Sequence, residues 1–153
     1  MPNTYTQLYY QIVFAVKGRR NFIQEPFREE LQKYMSGIIA NNDQKLYAIY
    51  CMPDHTHIFL SMRPTMCVSD ITGKVKASSS NFLKNQNLVS RSFAWQDGFG
   101  AFTYSKSQAD KVVKYVLNQK EHHKKKTFRQ EYIEFLEKFG VNYDEKYLFE
   151  FYD

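Results

Sequence analysis

Two histidines separated by one residue, His55 and His57, begin a short apolar run that ends at Met62. If this run is a strand, side chains at i and i+2 leave the same face with Cα atoms about 6.6–7 Å apart. Two imidazoles at that spacing can converge on one cation, although a polar pair at the rim of a sheet explains the pattern as well. Two ligands alone do not make a metal site, so further donors have to come from another element.

A predicted helix that begins near residue 107 supplies candidates for the remainder. Its apolar stripe, which includes Val112 and Val116, places Tyr115 and Gln119 one turn apart on the flank of the buried face. A tyrosine held beside the core with a free hydroxyl can act as a nucleophile, whereas an ordinary amphipathic tyrosine would occupy the same position. His122 continues the same line and is a candidate auxiliary group.

These residues together indicate a definite kind of chemistry. Two neutral imidazoles and one amide oxygen form an open site that suits Mg²⁺ or Mn²⁺ with phosphate oxygens better than a closed structural zinc. Such a cation stabilises charge that develops on a phosphodiester. A phenol with a pKa near 10 is protonated at neutral pH, so attack by Tyr115 needs a proton acceptor. The sequence leaves the acceptor open among His122, Lys111, Lys114 and metal-bound solvent.

The elements that must position these residues follow from hydrophobic periodicity. Strands are predicted over 6–16, 46–52 and 55–62, and the segment 95–104 is predicted to turn through two glycines into a fourth strand. Helices are predicted over 26–41, over 69–84, from 107 and from 127 to Gly140. Helix starts are predicted at Ser69, at Ser107 with Asp110 and at Thr127 with Gln130. The order predicts an α+β fold: a ferredoxin-like (RRM-like) split βαββαβ antiparallel sheet with helices on one face, plus C-terminal helices.

Length and composition narrow the class of protein. The 153 residues, 43% hydrophobic and 17% aromatic, predict one globular domain. Residues 1–126 should form the core with the tyrosine helix, and residues 127–153 a helix and acidic tail of the same domain. No apolar run is long enough for a membrane span, and two cysteines without a secretion signal indicate the reducing cytoplasm. The chain is too short for an ATP-driven helicase, so no nucleotide cofactor is expected.

Charge is distributed unevenly along the chain. The net charge is +5, yet residues 131–153 carry seven acids and two bases, so the remainder is strongly basic. A basic body predicts a polyanion partner. The candidate nucleic-acid contacts are Lys17, Arg19, Arg20, Lys74 and Lys76 for phosphates, and Tyr9 and Phe99 for stacking on bases. Trp95 is expected in the core, and His123 is expected to be an exposed bystander.

The runs Met52–Leu60, Trp95–Phe102 and Tyr115–His123 resemble the single-tyrosine HUH transposases of small bacterial insertion sequences and the related REP-associated tyrosine transposases. The resemblance implies that His55, His57 and Gln119 bind a divalent metal, Mg²⁺ or Mn²⁺, and that Tyr115 is the nucleophile. It implies DNA transposition through a 5′-phosphotyrosyl bond to single-stranded DNA at hairpin ends. It also implies a homodimer, often with the tyrosine helix exchanged between subunits. Thr56 replaces the usual large hydrophobe of the motif and suits a strand.

Three alternatives stay open on the sequence. The chain could be a non-catalytic module that binds single-stranded nucleic acid on its sheet, or a phosphodiesterase that uses water as nucleophile. Within the transposase hypothesis, it could serve its own element or be a domesticated nuclease that acts on repeat hairpins.

Overall fold

Residues 3–152, which a computed structural model describes, contain nine helices and strands longer than three residues. They follow the predicted order, except that the helix predicted from residue 107 is divided in two. They are β1 Tyr9–Ala15, α1 Glu25–Asn41, β2 Lys45–Cys51, β3 His55–Ser61, α2 Val68–Asn85, β4 Gly100–Tyr104, α3 Ala109–Leu117, α4 Gln119–His122 and α5 Phe128–Lys138. Short 3₁₀ turns lie at Arg19–Asn21, Lys106–Gln108 and Glu145–Tyr147.

The four strands form one antiparallel sheet with the order β2-β3-β1-β4. The strands β1 and β3 are central, and His57 of β3 lies opposite Val13 of β1 and Tyr50 of β2. The predicted split βαββαβ topology is therefore confirmed. Its consequence for function is that the His-x-His motif sits in the middle of the sheet and not at an edge.

Helices α1 and α2 cover one face of the sheet. The even-numbered residues of β1, which include Ile12 and Phe14, are buried in the main core with Leu31 of α1 and Val75 of α2. Trp95 is buried there too: its ring packs edge-on against Phe14 at 4.8 Å between centroids, and its Nε1 donates to Ser79 Oγ at 3.1 Å. The prediction that Trp95 belongs to the core is confirmed.

The C-terminal helices cover the opposite face, to which His55 and His57 point. Val112 and Val116 of α3 form a small apolar cluster with Ala48 and Phe59 of the sheet. On the other side of the histidines, α5 stacks Phe135 on Phe102 of β4, with 5.0 Å between ring centroids.

A glycine of β4 makes room for the Tyr132 ring of α5. A Cβ on Gly100 would lie 2.7 Å from the hydroxyl oxygen of Tyr132, closer than a real side chain allows. Glycine at this position therefore permits the docking that brings the first turn of α5 to the histidines.

Two predicted helix starts are wrong in detail. Helix α2 begins at Val68 after an extended Cys67, so Ser69 lies in its first turn and does not cap it. The predicted Ser107–Asp110 box is replaced by Ser105 and Gln108, because the Gln108 side chain reaches back to the Ser105 N–H at 2.9 Å. The Thr127–Gln130 box at the start of α5 is confirmed.

The C-terminal segment lies against the body of the protein. Gln96 exchanges two hydrogen bonds with the backbone of Glu150, at 2.8 and 2.7 Å. Tyr152 accepts at its hydroxyl from the Gly18 N–H and at its carbonyl from Arg19. None of the helices within residues 3–152 is both long and apolar enough to cross a lipid bilayer.

Candidate active site and metal centre

The two histidines of β3 point to the same side of the sheet, with 5.1 Å between their ring centroids. Both are fully buried. His55 Nδ1 lies 2.7 Å from Asp54 Oδ1, and His57 Nδ1 lies 2.7 Å from Gln11 Oε1. Because each Nδ1 faces an oxygen acceptor, the proton of the neutral ring sits on Nδ1 and Nε2 carries a lone pair. Both Nε2 atoms therefore face one centre as potential metal ligands.

A third imidazole, that of His123, reaches the same centre. His123 Nδ1 donates to the carbonyl of Lys126 at 2.8 Å, which again leaves Nε2 facing inward. Its ring lies 4.7 Å from that of His55, and 10% of its side chain is exposed. The prediction of an exposed bystander is wrong because the chain turns sharply after α4 and folds His123 back under the sheet.

Glu131, on the first turn of α5, places its carboxylate among the three imidazoles. Its Oε1 lies 3.0 Å from His57 Nε2, 3.2 Å from His123 Nε2 and 3.6 Å from His55 Nε2. The side chain is 2% exposed. Burial raises its pKa, but the His57 and His123 rings outweigh burial and hold that pKa well below its usual range. Glu131 is therefore an anion at neutral pH.

Gln119 adds an amide oxygen to this group. Its Nε2 donates to the carbonyl of Tyr115 at 3.2 Å, which turns its Oε1 toward His123 Nε2 at 2.9 Å. The predicted continuous helix is interrupted here: α3 ends at Leu117 and α4 begins at Gln119. The helical path nevertheless continues through Asn118, whose N–H donates to the carbonyl of Lys114 at 3.1 Å. Gln119 therefore stays one turn from Tyr115.

The hydroxyl of Tyr115 donates a hydrogen bond to Glu131 Oε2. The Tyr115 ring packs edge-on against His57, His122 and Phe135, with 5.9, 4.6 and 5.7 Å between centroids. Burial first, and the Glu131 charge second, raise the pKa of Tyr115 far above its usual range. The phenol therefore carries its proton at neutral pH, beside the centre that the histidines face.

The donor atoms of this cluster fit a divalent cation. One ligand atom from each of His55, His57, His123 and Glu131 lies within 4.8 Å of the others. His55 Nε2 is buried and has no hydrogen-bond partner within residues 3–152. A buried imidazole lone pair without a donor is the arrangement that a bound cation satisfies, and Nδ1–H bonds to oxygen are the usual support of a metal-binding histidine.

A cleft of about 480 Å³ opens beside Tyr115. Its lining includes Gln11, Tyr104, His122 and Glu131 as well as Tyr115. Three lysines also line it: Lys111, Lys126 and Lys138. The cleft thus joins the half-buried Tyr115 and the Glu131 carboxylate to a rim that carries three lysines and Glu134. A second cleft of about 540 Å³ lies at the far ends of β1 and β3, by Tyr9 and Ser61, and contains none of the clustered residues.

Two of the predicted nucleic-acid contacts, Arg19 and Lys76, have hydrogen-bond partners within the protein. Lys76 Nζ donates to the carbonyls of Gln96 and Gly98 at 2.9 and 2.5 Å. Arg19 donates to the carbonyl of Tyr152 at 2.7 Å. The remaining predicted contacts divide into two groups: the exposed Lys17, Arg20 and Lys74, and the half-buried Tyr9 and Phe99, which pack against the apolar clusters.

The sequence interpretation missed Glu131, His123 and Gln11. A signal existed for Glu131, because it lies three residues after Phe128 and four before Phe135, on the apolar stripe of its helix. Gln11 likewise interrupts an otherwise apolar strand between Tyr9 and Val13. A polar residue on a buried stripe needs a partner, so both positions marked a polar site inside the fold.

Comparison with known proteins gives a consistent result. The sequence model of the family described as "Transposase IS200 like" matches residues 4–119. The ISDra2 transposase TnpA of Deinococcus radiodurans is 25% identical over 118 residues, which cover 74% of this chain and 84% of that protein. The transposase for insertion sequence element IS200 of Salmonella typhimurium is 30% identical over 121 residues, which cover 75% of this chain and 78% of that protein.

Two solved structures share the fold. A Deinococcus radiodurans R1 protein described as a transposase superposes with a TM-score of 0.60 at 22% identity, over 76% of this chain and 94% of that one. A REP-associated tyrosine transposase bound to a REP hairpin superposes with a TM-score of 0.61 at 13% identity, over 79% of this chain and 72% of that one. The matched family segment contains His55, His57, Tyr115 and Gln119, whereas His123 and Glu131 lie beyond it.

Proposed function

The chain belongs to the IS200-like transposase family, and we propose that it cleaves and rejoins single-stranded DNA through a covalent bond to Tyr115. The observation that carries the proposal is the position of the Tyr115 hydroxyl. Tyr115 lines the cleft, its ring packs against His57 of the same chain, and its hydroxyl donates to Glu131, whose other oxygen faces the imidazoles. A nucleophile next to a centre of cation ligands is what transfer of a phosphodiester requires.

The proposed reaction has two balanced halves. The Tyr115 oxygen attacks a backbone phosphorus, a Tyr–O–P bond forms, and the bond from phosphorus to the 3′ oxygen breaks. One DNA end is then held as a 5′-phosphotyrosine and the other leaves as a 3′-hydroxyl after taking a proton from water. Attack by a second 3′-hydroxyl reverses these steps and joins the strands, so no nucleotide cofactor is consumed.

Residues of this chain prepare each step. His55, His57 and Gln119 are the proposed ligands of a divalent cation, Mg²⁺ or Mn²⁺, as the family implies. When bound, that cation stabilises negative charge on the phosphodiester. Glu131 Oε2 already accepts the hydroxyl hydrogen bond and so orients the Tyr115 oxygen, and the Tyr115 proton leaves to water in the cleft. His122 packs against the Tyr115 ring and limits its rotation.

The proposed substrate is single-stranded DNA next to a hairpin. Two exposed lysines at the cleft, Lys111 and Lys138, can meet phosphates, whereas Lys126 Nζ is paired with Glu134 Oε2 at 2.5 Å. The solved relative bound to a REP hairpin supports a hairpin end as the ligand. The exposed basic residues Lys17, Arg20 and Lys74 extend the candidate DNA-binding surface away from the cleft. We propose that the protein acts on this substrate in the cytoplasm.

We also propose that residues 1–126 form the catalytic core and that residues 127–153 belong to the same domain. The support is that α5 supplies Glu131 to the cluster and that the tail bonds to Gln96. A homodimer is expected from the family resemblance. Tyr115 and the histidines of one chain already lie together, so the geometry supports a site built within a single subunit.

The test is formation of a protein–DNA adduct on denaturing gels. Single-stranded oligonucleotides tiled across both flanks of the gene are incubated with the full chain and Mn²⁺ or Mg²⁺. We expect a metal-dependent shifted band with the wild type and no band with Tyr115→Phe or His57→Ala. Tyr34→Phe, an exposed tyrosine of α1, is the matched control and should react as the wild type does.

Other outcomes identify the alternatives. Cleavage without a covalent band that survives in Tyr115→Phe would show that water is the nucleophile. Binding without cleavage on any oligonucleotide would indicate a nucleic-acid-binding module. A band on dispersed repeats but not on the flanks of the gene would indicate a domesticated nuclease.

A further inference from the structure

The cluster beside Tyr115 holds more potential cation ligands than the motifs of the family supply. His55, His57 and Gln119 lie within the matched family segment. His123 and Glu131 lie after it, on the turn that follows α4 and on α5. Both side chains nevertheless place an atom within 3.2 Å of another member of the cluster.

Hydrogen bonds to surrounding oxygen atoms orient the three histidines and the Gln119 amide of the cluster. The three histidine Nδ1 atoms face Asp54 Oδ1, Gln11 Oε1 and the carbonyl oxygen of Lys126. The Gln119 amide is oriented by its bond to the carbonyl of Tyr115. In the neutral form of the rings, three nitrogen lone pairs therefore face the Gln119 oxygen and the Glu131 carboxylate.

Five acceptors that face one another without a donor repel, so the cluster needs either protons or a cation between them. A proton on one imidazole would satisfy the contacts of Glu131 with that ring. It would leave His55 Nε2, which has no hydrogen-bond partner within residues 3–152, without one. A divalent cation satisfies all the lone pairs together.

We infer that His123 and Glu131 bind the same divalent cation as His55 and His57. This inference rests on the proposed function and extends its metal site from two histidines and an amide to three histidines, an amide and a carboxylate. A donor set with three imidazoles suits Mn²⁺ or a later transition metal better than Mg²⁺, which prefers oxygen.

The inferred role of Glu131 is to connect the cation to the nucleophile. Its Oε1 lies at the imidazoles, and its Oε2 accepts the hydrogen bond from the Tyr115 hydroxyl. Binding of the cation by Oε1 would then fix the position of Oε2, and with it the position of the phenol. Helix α5 therefore becomes part of the site and not only a cover for the sheet.

The test measures Mn²⁺ binding to the full chain by calorimetry, without DNA. We expect Glu131→Gln and His123→Ala each to weaken Mn²⁺ binding by on the order of 100-fold, at least as much as loss of an outer-sphere partner does. His57→Ala should weaken it at least as strongly. Glu137→Gln, exposed two turns along α5, is the matched control that should bind Mn²⁺ as the wild type does.

A second measurement needs no variant. X-ray absorption of the Mn²⁺-loaded wild type should count three imidazoles, and a count of two would overturn the assignment of His123. Wild-type affinity in both Glu131→Gln and His123→Ala, with binding lost in His57→Ala, would overturn the inference and leave the proposed function intact. Failure of the wild type to bind Mn²⁺ at all would overturn the inferred ligands together with the metal site of the proposed function.

Discussion

Gln11 Oε1 lies 2.7 Å from His57 Nδ1, and the two residues face each other from neighbouring strands. The amide is itself oriented, because Gln11 Nε2 donates to the Tyr104 hydroxyl at 3.0 Å. This chain of two hydrogen bonds keeps the proton of His57 on Nδ1 and its lone pair on Nε2. A residue of β1, far in sequence from the His-x-His motif, thus determines what that motif can bind.

Replacement of Gln11 by alanine should therefore weaken the metal site without removing a ligand. We expect Mn²⁺ affinity to fall by about 10–100-fold, the usual effect of losing a hydrogen bond to a metal-binding histidine. Calorimetry on the folded variant measures the change. Tyr104→Phe keeps the Gln11–His57 bond and should cause a smaller loss. Equal affinity of Gln11→Ala and wild type would mean that the His57 tautomer does not depend on Gln11.

Divalent cations should stabilise the folded protein. At a metal concentration of a hundred times Kd, binding to the native state alone contributes about 2.7 kcal/mol. For a chain of this length that corresponds to a rise in Tm of roughly 5–10 °C. Thermal unfolding with EDTA, Mg²⁺ or Mn²⁺ measures it, and we expect Mn²⁺ to give the larger rise because nitrogen donors dominate the cluster. The rise should disappear in His57→Ala, and a rise that persists there would place the cation elsewhere.

Local sequence patterns predicted the frame of the site well. Alternation placed His55 and His57 on one face of a strand, and the strand order follows from short turns and crossover helices. The apolar stripe of α3 located Tyr115 on the flank of a helix that packs on the sheet. These features follow from the periodicity of each element and from the short connections between elements, both of which the sequence reports directly.

The rest of the cluster depends on tertiary docking. His123 looked like one of a run of polar residues, and its burial follows from the turn that ends at Thr127. Glu131 reaches the histidines because α5 packs on β4 at Gly100. Lys76, a predicted DNA contact, donates to two carbonyls of a distant loop. In each case the partner lies 20 or more residues away or on an element whose docking angle the sequence does not specify.

Tyr115 should act on DNA bound by its own chain. Its ring lies 5.9 Å from that of His57 within one subunit. A mixture of Tyr115→Phe and His57→Ala proteins should therefore form no covalent adduct with DNA on a denaturing gel. Mixtures of either variant with wild type, at the same total concentration, show whether a variant subunit inhibits a wild-type subunit in a mixed dimer. Recovery of adduct in the double-variant mixture would show that the tyrosine helix is exchanged between subunits.

The two cysteines should react very differently with thiol reagents. Cys51 of β2 lies opposite Thr56, the residue between His55 and His57 on β3, and is fully buried. Cys67 is exposed. Burial raises the pKa of Cys51 to about 12. Its thiolate fraction at pH 8 should thus be about 1000-fold below that of an ordinary cysteine, quite apart from access.

A colorimetric thiol assay at pH 8 should therefore count one fast thiol in the native protein and two in denaturant. Cys67→Ser should remove the fast phase. Two fast thiols in the native state would mean that β2 and β3 separate readily, which is incompatible with a rigid pair of ligand-bearing strands.

The lysines at the cleft should contribute more to DNA binding than equally exposed lysines elsewhere. Lys111 and Lys138 are exposed beside the Tyr115 cleft, whereas Lys33 is exposed on α1, on the opposite side of the sheet. Each phosphate contact with a single strand contributes about 0.7 to the slope of log K against log salt concentration. Lys111→Ala and Lys138→Ala should each lower that slope by about this amount for a single-stranded oligonucleotide, and Lys33→Ala should leave it unchanged. Titrations by fluorescence anisotropy at several salt concentrations measure the slopes. A loss in Lys33→Ala equal to that in the cleft variants would mean that DNA is held by the net charge of the body, and that the cleft does not determine the path of the strand to Tyr115.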